Sequence, residues 1–179
     1  IRMLEGSPTT LNIPHPDMQQ GRFQEYDINH AGHFTPVLRP FGQNECGVVV
    51  GLINNITSKF PLGMRRVWIG SDSTKAMGSL AEKECIRIIE AITLAEKLNI
   101  PVEWVPISAG AMIAMDSGTE NLDWTARVLE KIIRFTQKGG IIHVIVHGIN
   151  VGAQSYWNAE ATMLMHTKGV LIMTTQAAM

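Results

Sequence analysis

The alternation of short apolar runs with helix-spaced apolar residues is the feature of this sequence that most restricts its fold. Five apolar runs are too short for core helices and are predicted to be buried strands. They are residues 46–54, 66–71, 102–107, 141–147 and 170–174. Helical periodicity between these runs predicts three helices, at about residues 79–98, 122–138 and 154–166. Buried strands separated by helices are typical of a layered α/β domain.

Two of the predicted helices carry terminal signals. Ser79 and Glu82 have the spacing of a capping box, in which the serine hydroxyl accepts a helix amide and the glutamate reaches back. Pro101 is expected to stop this first helix. The glycine pair at 139–140 is expected to end the second helix.

The first 45 residues differ from the rest in composition. Five of the eight prolines lie there, where they remove amide donors and restrict their neighbours. We therefore predict an irregular arm or linker over residues 1–45 and one α/β domain over residues 46–179. Because the chain begins at Ile1 rather than at methionine and stops inside an apparent helix, we expect a piece of a longer protein, truncated at its carboxyl end.

Composition argues against several classes of function. With 16 acidic and 15 basic residues the net charge is −1, which leaves no basic field for nucleic acid. No apolar run approaches the roughly 20 residues of a membrane span, and no signal peptide is visible. Cys46 and Cys85 are isolated from each other, and we expect reduced core thiols in a cytoplasmic protein. His30 and His33 lack the partners of a metal cluster, so no metal site is predicted.

Two of the predicted strands end in turns of small residues. Residues 108–111 read Ser-Ala-Gly-Ala, and residues 148–153 read Gly-Ile-Asn-Val-Gly-Ala. Small residues let the main chain approach a ligand closely, and glycine permits dihedral angles that are closed to other residues. The second turn leads into a predicted helix, whose first amides lack intrahelical acceptors. Two amides directed at one point would stabilise an enolate or a tetrahedral oxyanion.

Side-chain catalysis near these turns is less consistent with the sequence. Ser108 lacks the Gly-x-Ser-x-Gly pattern and evident Asp and His partners, which argues against a serine hydrolase. His143 lies inside a predicted strand and is interpreted as a core histidine. His147 lies beside the second turn, where two roles stay open, a structural one and the orientation of the loop.

The ordered set of motifs resembles the carboxyltransferases of biotin-dependent acyl-CoA carboxylases, which belong to the crotonase superfamily. The turn at 108–111 is similar to the first oxyanion-hole turn of that superfamily. The other matches follow the order and spacing of the eukaryotic acetyl-CoA carboxylases. They are Arg39 to Val49 (RPFGQNECGVV), Ile69 to Thr74 (IGSDST), Gly78 to Glu82 (GSLAE) and Val151 to Tyr156 (VGAQSY). The resemblance covers about residues 39–179 and implies a crotonase-like (ClpP/crotonase) fold, a ββα superhelix.

The resemblance also implies which residues form the site. The main-chain amides of Ala111 and Ala153 are the candidate oxyanion donors, in turns that Gly110 and Gly152 shape. Neighbouring residues are the candidate contacts to the substrate. They are Ser108, Ala109, Met112 and Gln154, together with Lys75 and Gly78 in the loop expected on the CoA or biotin side.

The sequence departs from the family at several positions. The family's arginine after the first turn, which can help hold a carboxylate, is Met112 here, so substrate handling at this position is open. The zinc-binding cysteines of some bacterial carboxyltransferase subunits are absent. Hydratases of the superfamily carry a glutamate shortly after the second turn, whereas the first carboxylate here is Glu160, about two helical turns beyond Ala153. The missing base favours a carboxyltransferase, in which the biotin anion takes the substrate's alpha proton.

The implied reaction moves CO2 from carboxybiotin to the alpha carbon of an acyl-CoA of the acetyl- or propionyl-CoA type. Biotin is expected to be attached covalently to another domain, because no Met-Lys-Met motif occurs here. The implied partners are a biotinyl carrier domain, a biotin carboxylase domain and a homologous C-terminal carboxyltransferase domain, contributed by another subunit of a homo-oligomer.

Two alternative functions stay open at this point. One is another crotonase-type isomerase or hydrolase that acts on acyl-CoA. The other is a non-catalytic, crotonase-like domain that serves as a scaffold, with which Met112 and the lack of a base are compatible. Under the first hypothesis the fragment alone is expected to be inactive, because the other half of the site lies on another domain.

Overall fold

The computed structural model describes residues 21–56, 59–115, 117 and 119–172. The strands are β1 (Gly21–Ile28), β2 (Phe34–Pro36), β3 (Val48–Asn55), β4 (Met64–Ser71), β5 (Val102–Val105), β6 (Ile142–Val146), β7 (Ile149–Val151), β8 (Met163–His166) and β9 (Val170–Ile172). The helices are α1 (Glu82–Leu98), α2 (Glu120–Gln137) and α3 (Ala153–Ala159), with a short 3-10 turn at Ala76–Gly78.

Seven strands form one mixed sheet in the order β2-β1-β3-β4-β5-β6-β8, and β7 and β9 form a small second sheet. The first four strands of that order pair antiparallel, whereas β4, β5, β6 and β8 pair parallel. The carboxyl ends of β4, β5 and β6 therefore meet at one edge of the sheet, each followed by a loop and a helix. The predicted α/β fold class is confirmed.

Helix α1 covers one face of the sheet over β3 and β4 and packs along α2. Its buried apolar residues follow helical spacing, with Ile88, Ala91 and Ile92 inaccessible to solvent. Asn99 ends the helix in a left-handed conformation (φ 50°), and its amide donates to the carbonyls of Ala95 and Glu96. Trp104 of β5 is buried in the same core, where its ring lies 5.8 Å from that of Trp157 in α3.

The start of α1 differs from the predicted capping box. The helix begins at Glu82, and the carboxylate that reaches back belongs to Glu84, which accepts the amide of Ala81 at 3.1 Å. The other oxygen of Glu84 accepts the amide of Gly47 at 3.1 Å and the thiol of Cys46 at 3.2 Å. Glu84 is thus a buried carboxylate with three donors, which ties the helix to the start of β3.

Both cysteines are free and buried, as the sequence predicts for core thiols. Burial, followed by the nearby charge of Glu84, raises the pKa of Cys46 and of Cys85 to about 12. These thiols are therefore protonated and unreactive at neutral pH.

Two strands lie inside the segment that the sequence assigned to an irregular arm. β1 pairs antiparallel with β3 from Gly21↔Asn55 to Tyr26↔Val50, and β2 pairs with the end of β1. The prolines at 36 and 40 lie at or beyond the last residue of β2 and remove no donor from the central ladder. The domain boundary at residue 45 remains a prediction, since residues 1–20 lie outside the described part of the chain.

The third helix is shorter than its apolar spacing predicts. It ends at Ala159, and Met163–His166 forms the strand β8, which pairs parallel with β6. Pairing with β6 overrides the helical preference of these residues. All four residues of β8 are exposed, so this strand borders the large sheet without a covering layer from the described residues.

Asp27 is expected to contribute to stability through its charge. Its buried carboxylate accepts the amide of Ile28 at 2.7 Å, the Nε of Arg87 at 2.6 Å and a guanidinium nitrogen of Arg39 at 2.7 Å. Burial alone would raise the pKa of Asp27, but the Ile28 amide and the two arginines outweigh it and hold the pKa below its ordinary value of 3.8. A carboxylate with a lowered pKa stabilises the fold above its unfolded pKa and loses that effect as the pH falls through the folded pKa.

We therefore expect Asp27→Asn to lower the free energy of unfolding by about 2 kcal/mol near pH 7. At a second, strongly acidic pH the difference from the wild type should shrink, because the wild-type carboxyl also becomes protonated as the pH falls below 3.8 and through its lowered pKa. Urea unfolding at the two pH values checks this expectation. If the difference in the free energy of unfolding did not depend on pH, then the lost contribution would come from the packing of the side chain and not from the charge of Asp27.

Candidate functional site

Three loops meet at the edge of the sheet where β4, β5 and β6 end. They are residues 72–81, 106–112 and 147–152, and each leads from its strand towards a helix. In open α/β sheets this edge is where ligands bind, because the loops there are free to vary while the strands hold them in place. Both turns of small residues predicted from the sequence lie in these loops.

Main-chain hydrogen bonds join the first loop to the second. The amide of Leu80 donates to the carbonyl of Gly110, and the amide of Met112 donates to the carbonyl of Leu80, both at 2.8 Å. The amide of Ala109 also donates to the carbonyl of Met77 at 3.2 Å. Because the two bonds of Leu80 flank Ala111 in a parallel bridge, the amide of Ala111 points away from Leu80.

Main-chain hydrogen bonds also join the second loop to the third. The amide of Ser108 donates to the carbonyl of Ile149 at 2.9 Å, and the amide of Val151 donates to the carbonyl of Ser108 at 3.0 Å. A Cβ atom on Gly110 would lie 3.3 Å from the carbonyl oxygen of Val151, and one on Gly152 would lie 4.0 Å from the Cα of Gly110. The two predicted turns are therefore in direct contact through their main chains.

The amides of Ala111 and Ala153 lie in these adjoining turns. Ala153 is the first residue of α3 and Gly152 precedes it with φ 56° and ψ −121°, a conformation that favours glycine. Within the part of the chain that the structure describes, neither amide has a hydrogen-bond acceptor. Two amides without acceptors among the described residues therefore lie on turns that touch each other.

The first loop contains backbone strain. Ala76 and Met77 both have positive φ values, 46° and 53°, which are uncommon for residues with a side chain. Gly78 follows with φ 72° and is buried, so that a Cβ atom there would lie 2.2 Å from the carbonyl oxygen of Ile107. Lys75 begins this turn, and its carbonyl accepts the amide of Gly78. Gly78 therefore lets the first loop pass close beneath the end of β5.

Asp72 stabilises the beginning of the same loop. Its carboxylate accepts the hydroxyl and amide of Thr74, and the amide nitrogen of Asn44 donates to it at 2.8 Å. The Thr74 hydroxyl, followed by the Asn44 amide, holds the pKa of Asp72 below its usual value. The loop is thus held at both ends, by a charged turn and by main-chain bonds to the second loop.

Several side chains predicted to contact substrate are turned into the protein. Ser108 is buried, and its Oγ accepts the amide of Gly110 at 3.0 Å. Gln154 is also buried, and its Nε2 donates to Oδ1 of Asn158 at 2.9 Å. Met112 is partly exposed, and its carbonyl accepts the side-chain amide of Asn121. The main chain of the turns, more than these side chains, is what the fold presents at this edge.

A buried polar network behind the second turn was not predicted from the sequence. Asn150 donates through Nδ2 to the carbonyls of Pro106 and Gly148, at 3.1 and 3.2 Å. Asn158 donates to Oδ1 of Asn150 at 3.1 Å, and the hydroxyl of Ser155 donates to its carbonyl at 2.7 Å. The signal in the sequence is that Asn150, Gln154 and Asn158 recur every four positions, the last two within α3.

The two histidines singled out in the sequence lie away from the network. His143 is half-buried in β6. His147 is exposed, and its Nδ1 lies 3.1 Å from the hydroxyl of Thr167, which itself donates to the carbonyl of Val146. His147 therefore links the start of the third loop to the segment between β8 and β9.

No helix among the described residues combines the length and the apolar character needed to cross a membrane.

Helix α3 is anchored in the core by Trp157, whose ring lies 5.8 Å from that of Trp104 and whose Nε1 donates to the carbonyl of Thr125. The helix that follows the third loop is thus packed into the core.

Comparisons with known proteins agree with the motifs. No family profile matches the chain. Over 77 residues, 43% of this chain, it is 32% identical to an acetyl-CoA carboxylase of Dictyostelium discoideum. Over 80 residues, 45% of this chain, it is 28% identical to acetyl-CoA carboxylase 2 of Arabidopsis thaliana. Each match spans 3% of the length of that relative.

The fold has a counterpart among solved structures. The beta subunit of geranyl-CoA carboxylase from P. aeruginosa superposes with a TM-score of 0.65 at 16% identity, over 86% of this chain and 27% of that subunit. The predicted resemblance to acyl-CoA carboxylases is therefore confirmed, and the chain shares the α/β fold of that subunit.

Proposed function

We propose that this chain forms one half of a carboxyltransferase site of a biotin-dependent acyl-CoA carboxylase. One observation carries the proposal: the turns that contain Ala111 and Ala153 touch each other, and the amides of these two residues lack acceptors among the described residues. In this proposal the two amides hold the oxygen of an enolate, one formed on the acyl thioester or on biotin. Gly110 and Gly152 allow the main-chain conformation of the two turns, and the small side chain of Ala109 leaves room for the ligand to approach the main chain.

The proposed chemistry assigns the chain a task of positioning and charge stabilisation. Biotin, attached elsewhere in the protein, supplies the CO2 and the base that removes the alpha proton. The chain holds the thioester so that its alpha carbon faces the CO2 and its oxygen lies against the two amides. No side chain needs to act as a base, and the first carboxylate after the second turn, Glu160, is exposed at the far end of α3.

Large apolar side chains are exposed in the first and third loops and one residue beyond the second. Met77 is 62% exposed, Ile113 is 84% exposed and Ile149 is 52% exposed. Apolar side chains grouped at one edge of a fold indicate a surface that another surface covers. In this proposal a homologous C-terminal carboxyltransferase domain of another subunit covers them and closes the site. The biotinyl carrier domain brings biotin into the groove between the two.

A decarboxylation assay tests the proposal. With free biotin present, the full-length parent protein should convert malonyl-CoA or methylmalonyl-CoA to acetyl-CoA or propionyl-CoA, the reverse half-reaction, whereas residues 1–179 alone should not. Which of the two thioesters turns over faster decides between acetyl-CoA and propionyl-CoA as substrate. The same protein should leave enoyl-CoA unchanged.

Two results would contradict the proposal. Turnover of an enoyl-CoA without biotin would instead identify another crotonase-type enzyme. A folded parent protein without turnover of any short acyl-CoA would identify a scaffold domain. Mass analysis of the CoA products distinguishes these results directly.

A further inference from the structure

We propose that the buried side chain of Asn150 is a positioning residue that sets the separation between the two turns of the site. The inference rests on the proposed function for its kinetic consequence, but its structural part stands on hydrogen bonds alone. Asn150 is fully buried and lies two residues before Gly152. It does not touch the substrate in this proposal and acts through the main chain of the loops.

The carboxamide of Asn150 bonds to both loops with one nitrogen. Its Nδ2 donates to the carbonyl of Pro106, where β5 ends, and to the carbonyl of Gly148, in the loop after β6. A primary amide has two N–H donors at a fixed angle, so these two acceptors are held at one distance from each other. Ser108 and Asn150 also form a parallel bridge, which places this amide directly beneath the contact between the turns.

A chain of three carboxamides holds Asn150 in its orientation. Gln154 donates to Asn158, and Asn158 donates to Oδ1 of Asn150. Since Oδ1 accepts from Asn158, the nitrogen of Asn150 must face the two loop carbonyls. All three side chains are buried, and buried amide chains of this kind strengthen one another in a medium of low dielectric. This chain of hydrogen-bonded carboxamides, the amide relay, therefore connects α3 to the two loops.

The two main-chain amides that are the proposed oxyanion donors lie a few residues from this relay. Ala111 is three residues beyond Ser108, and Ala153 is three residues beyond Asn150. A shift of about 1 Å between groups that hold a transition state costs up to about 100-fold in rate. Loss of the Asn150 bonds should therefore reduce turnover more than it reduces the binding of the thioester, because the substrate has many other contacts.

The test uses three variants of the full-length parent protein, with malonyl-CoA or methylmalonyl-CoA and free biotin as probes. Asn150→Leu should lower kcat about 30-fold while KM changes by less than about threefold. Asn158→Leu keeps the two loop bonds and loosens the relay, so it should lower kcat by a smaller factor. Thr125→Val is the control. It also removes a buried side-chain hydroxyl, which bonds within α2 to Leu122, and it should leave kcat unchanged.

Hydrogen exchange separates this inference from the proposed function. In Asn150→Leu, amides of residues 107–112 and 148–153 should exchange faster than in Thr125→Val at matched melting temperature. If the wild type turns over no thioester, the proposed function fails and exchange alone decides on Asn150. Unchanged exchange in both segments, or a rise in KM with unchanged kcat, overturns the inference. If Asn150→Leu does not fold, Asn158→Leu decides by the same two measurements.

Discussion

Replacing Gly152 by valine is expected to lower biotin-dependent turnover of the full-length protein by about 100-fold or more. Gly152 has φ 56° and ψ −121°, and a β-branched residue is a genuine outlier at such a positive φ. The main chain must therefore rotate, and the amide of Ala153 rotates with it. Because a Cβ atom there would meet only the Cα of Gly110 at 4.0 Å, the effect comes from backbone conformation and not from a clash.

Gly139→Val is the matched control for this variant. Gly139 also has a positive φ, 87°, and a Cβ atom there would meet nothing within 4 Å. It lies after α2, at the opposite edge of the sheet from the turns, so it should lose a comparable amount of stability, about 1–3 kcal/mol, and keep its turnover. Assays of both variants at the same folded fraction check the prediction. Equal turnover in the two variants would remove the second turn from the mechanism.

Gly78→Val is expected to cause the largest loss of stability, a drop of about 3 kcal/mol or more in the free energy of unfolding. Its Cβ atom would lie 2.2 Å from the carbonyl oxygen of Ile107 and 3.2 Å from the Cα of Ser108, and both atoms are main chain. Ser108 is held by two main-chain hydrogen bonds to the third loop, with Ile149 and Val151, so the segment after β5 cannot easily move. The first loop would have to move away and break its bonds to Ala109 and Gly110.

Gly42→Val provides the comparison for this prediction. Gly42 has φ 78°, close to the 72° of Gly78, but it is exposed and a Cβ atom there would meet nothing within 4 Å. The difference between the two variants in urea unfolding therefore isolates the steric contact with β5 from the strain of a positive φ. If both variants lose the same free energy of unfolding, then the first loop moves away from Ile107 at no cost. Its hydrogen bonds would then not hold the second loop in place.

The central part of the fold could be predicted because its signals are local. The runs that became β3 to β6 are apolar and short, and α1 and α2 bury residues at helical spacing. β1 escaped prediction because it pairs with only one long partner on a half-exposed face, so it lacks an apolar run. β8 escaped because its partner, β6, lies about 20 residues away and pattern alone does not register a partner.

The site was predictable to the level of its turns but not of its side chains. Glycines and small residues after two strands marked residues 108–111 and 148–153, because they alone fit a close contact between main chains. The inward orientation of Ser108 and Gln154 depends on partners from other elements, which a linear sequence does not show. The same limit explains why the sequence analysis assigned no role to Asn150.

The main-chain hydrogen bonds between the first two loops bear on which side chains are tolerated at position 112. The hydrogen bonds that join Leu80 to Gly110 and Met112 use main-chain atoms alone, so these bonds do not depend on the identity of the side chain at 112. In the proposed function, Met112 in place of the arginine of the resembled carboxyltransferases therefore changes what meets the ligand and leaves the main-chain bonds beside Ala111 unchanged. On that proposal, substitutions at position 112 change substrate preference independently of the main-chain path that brings the two turns together.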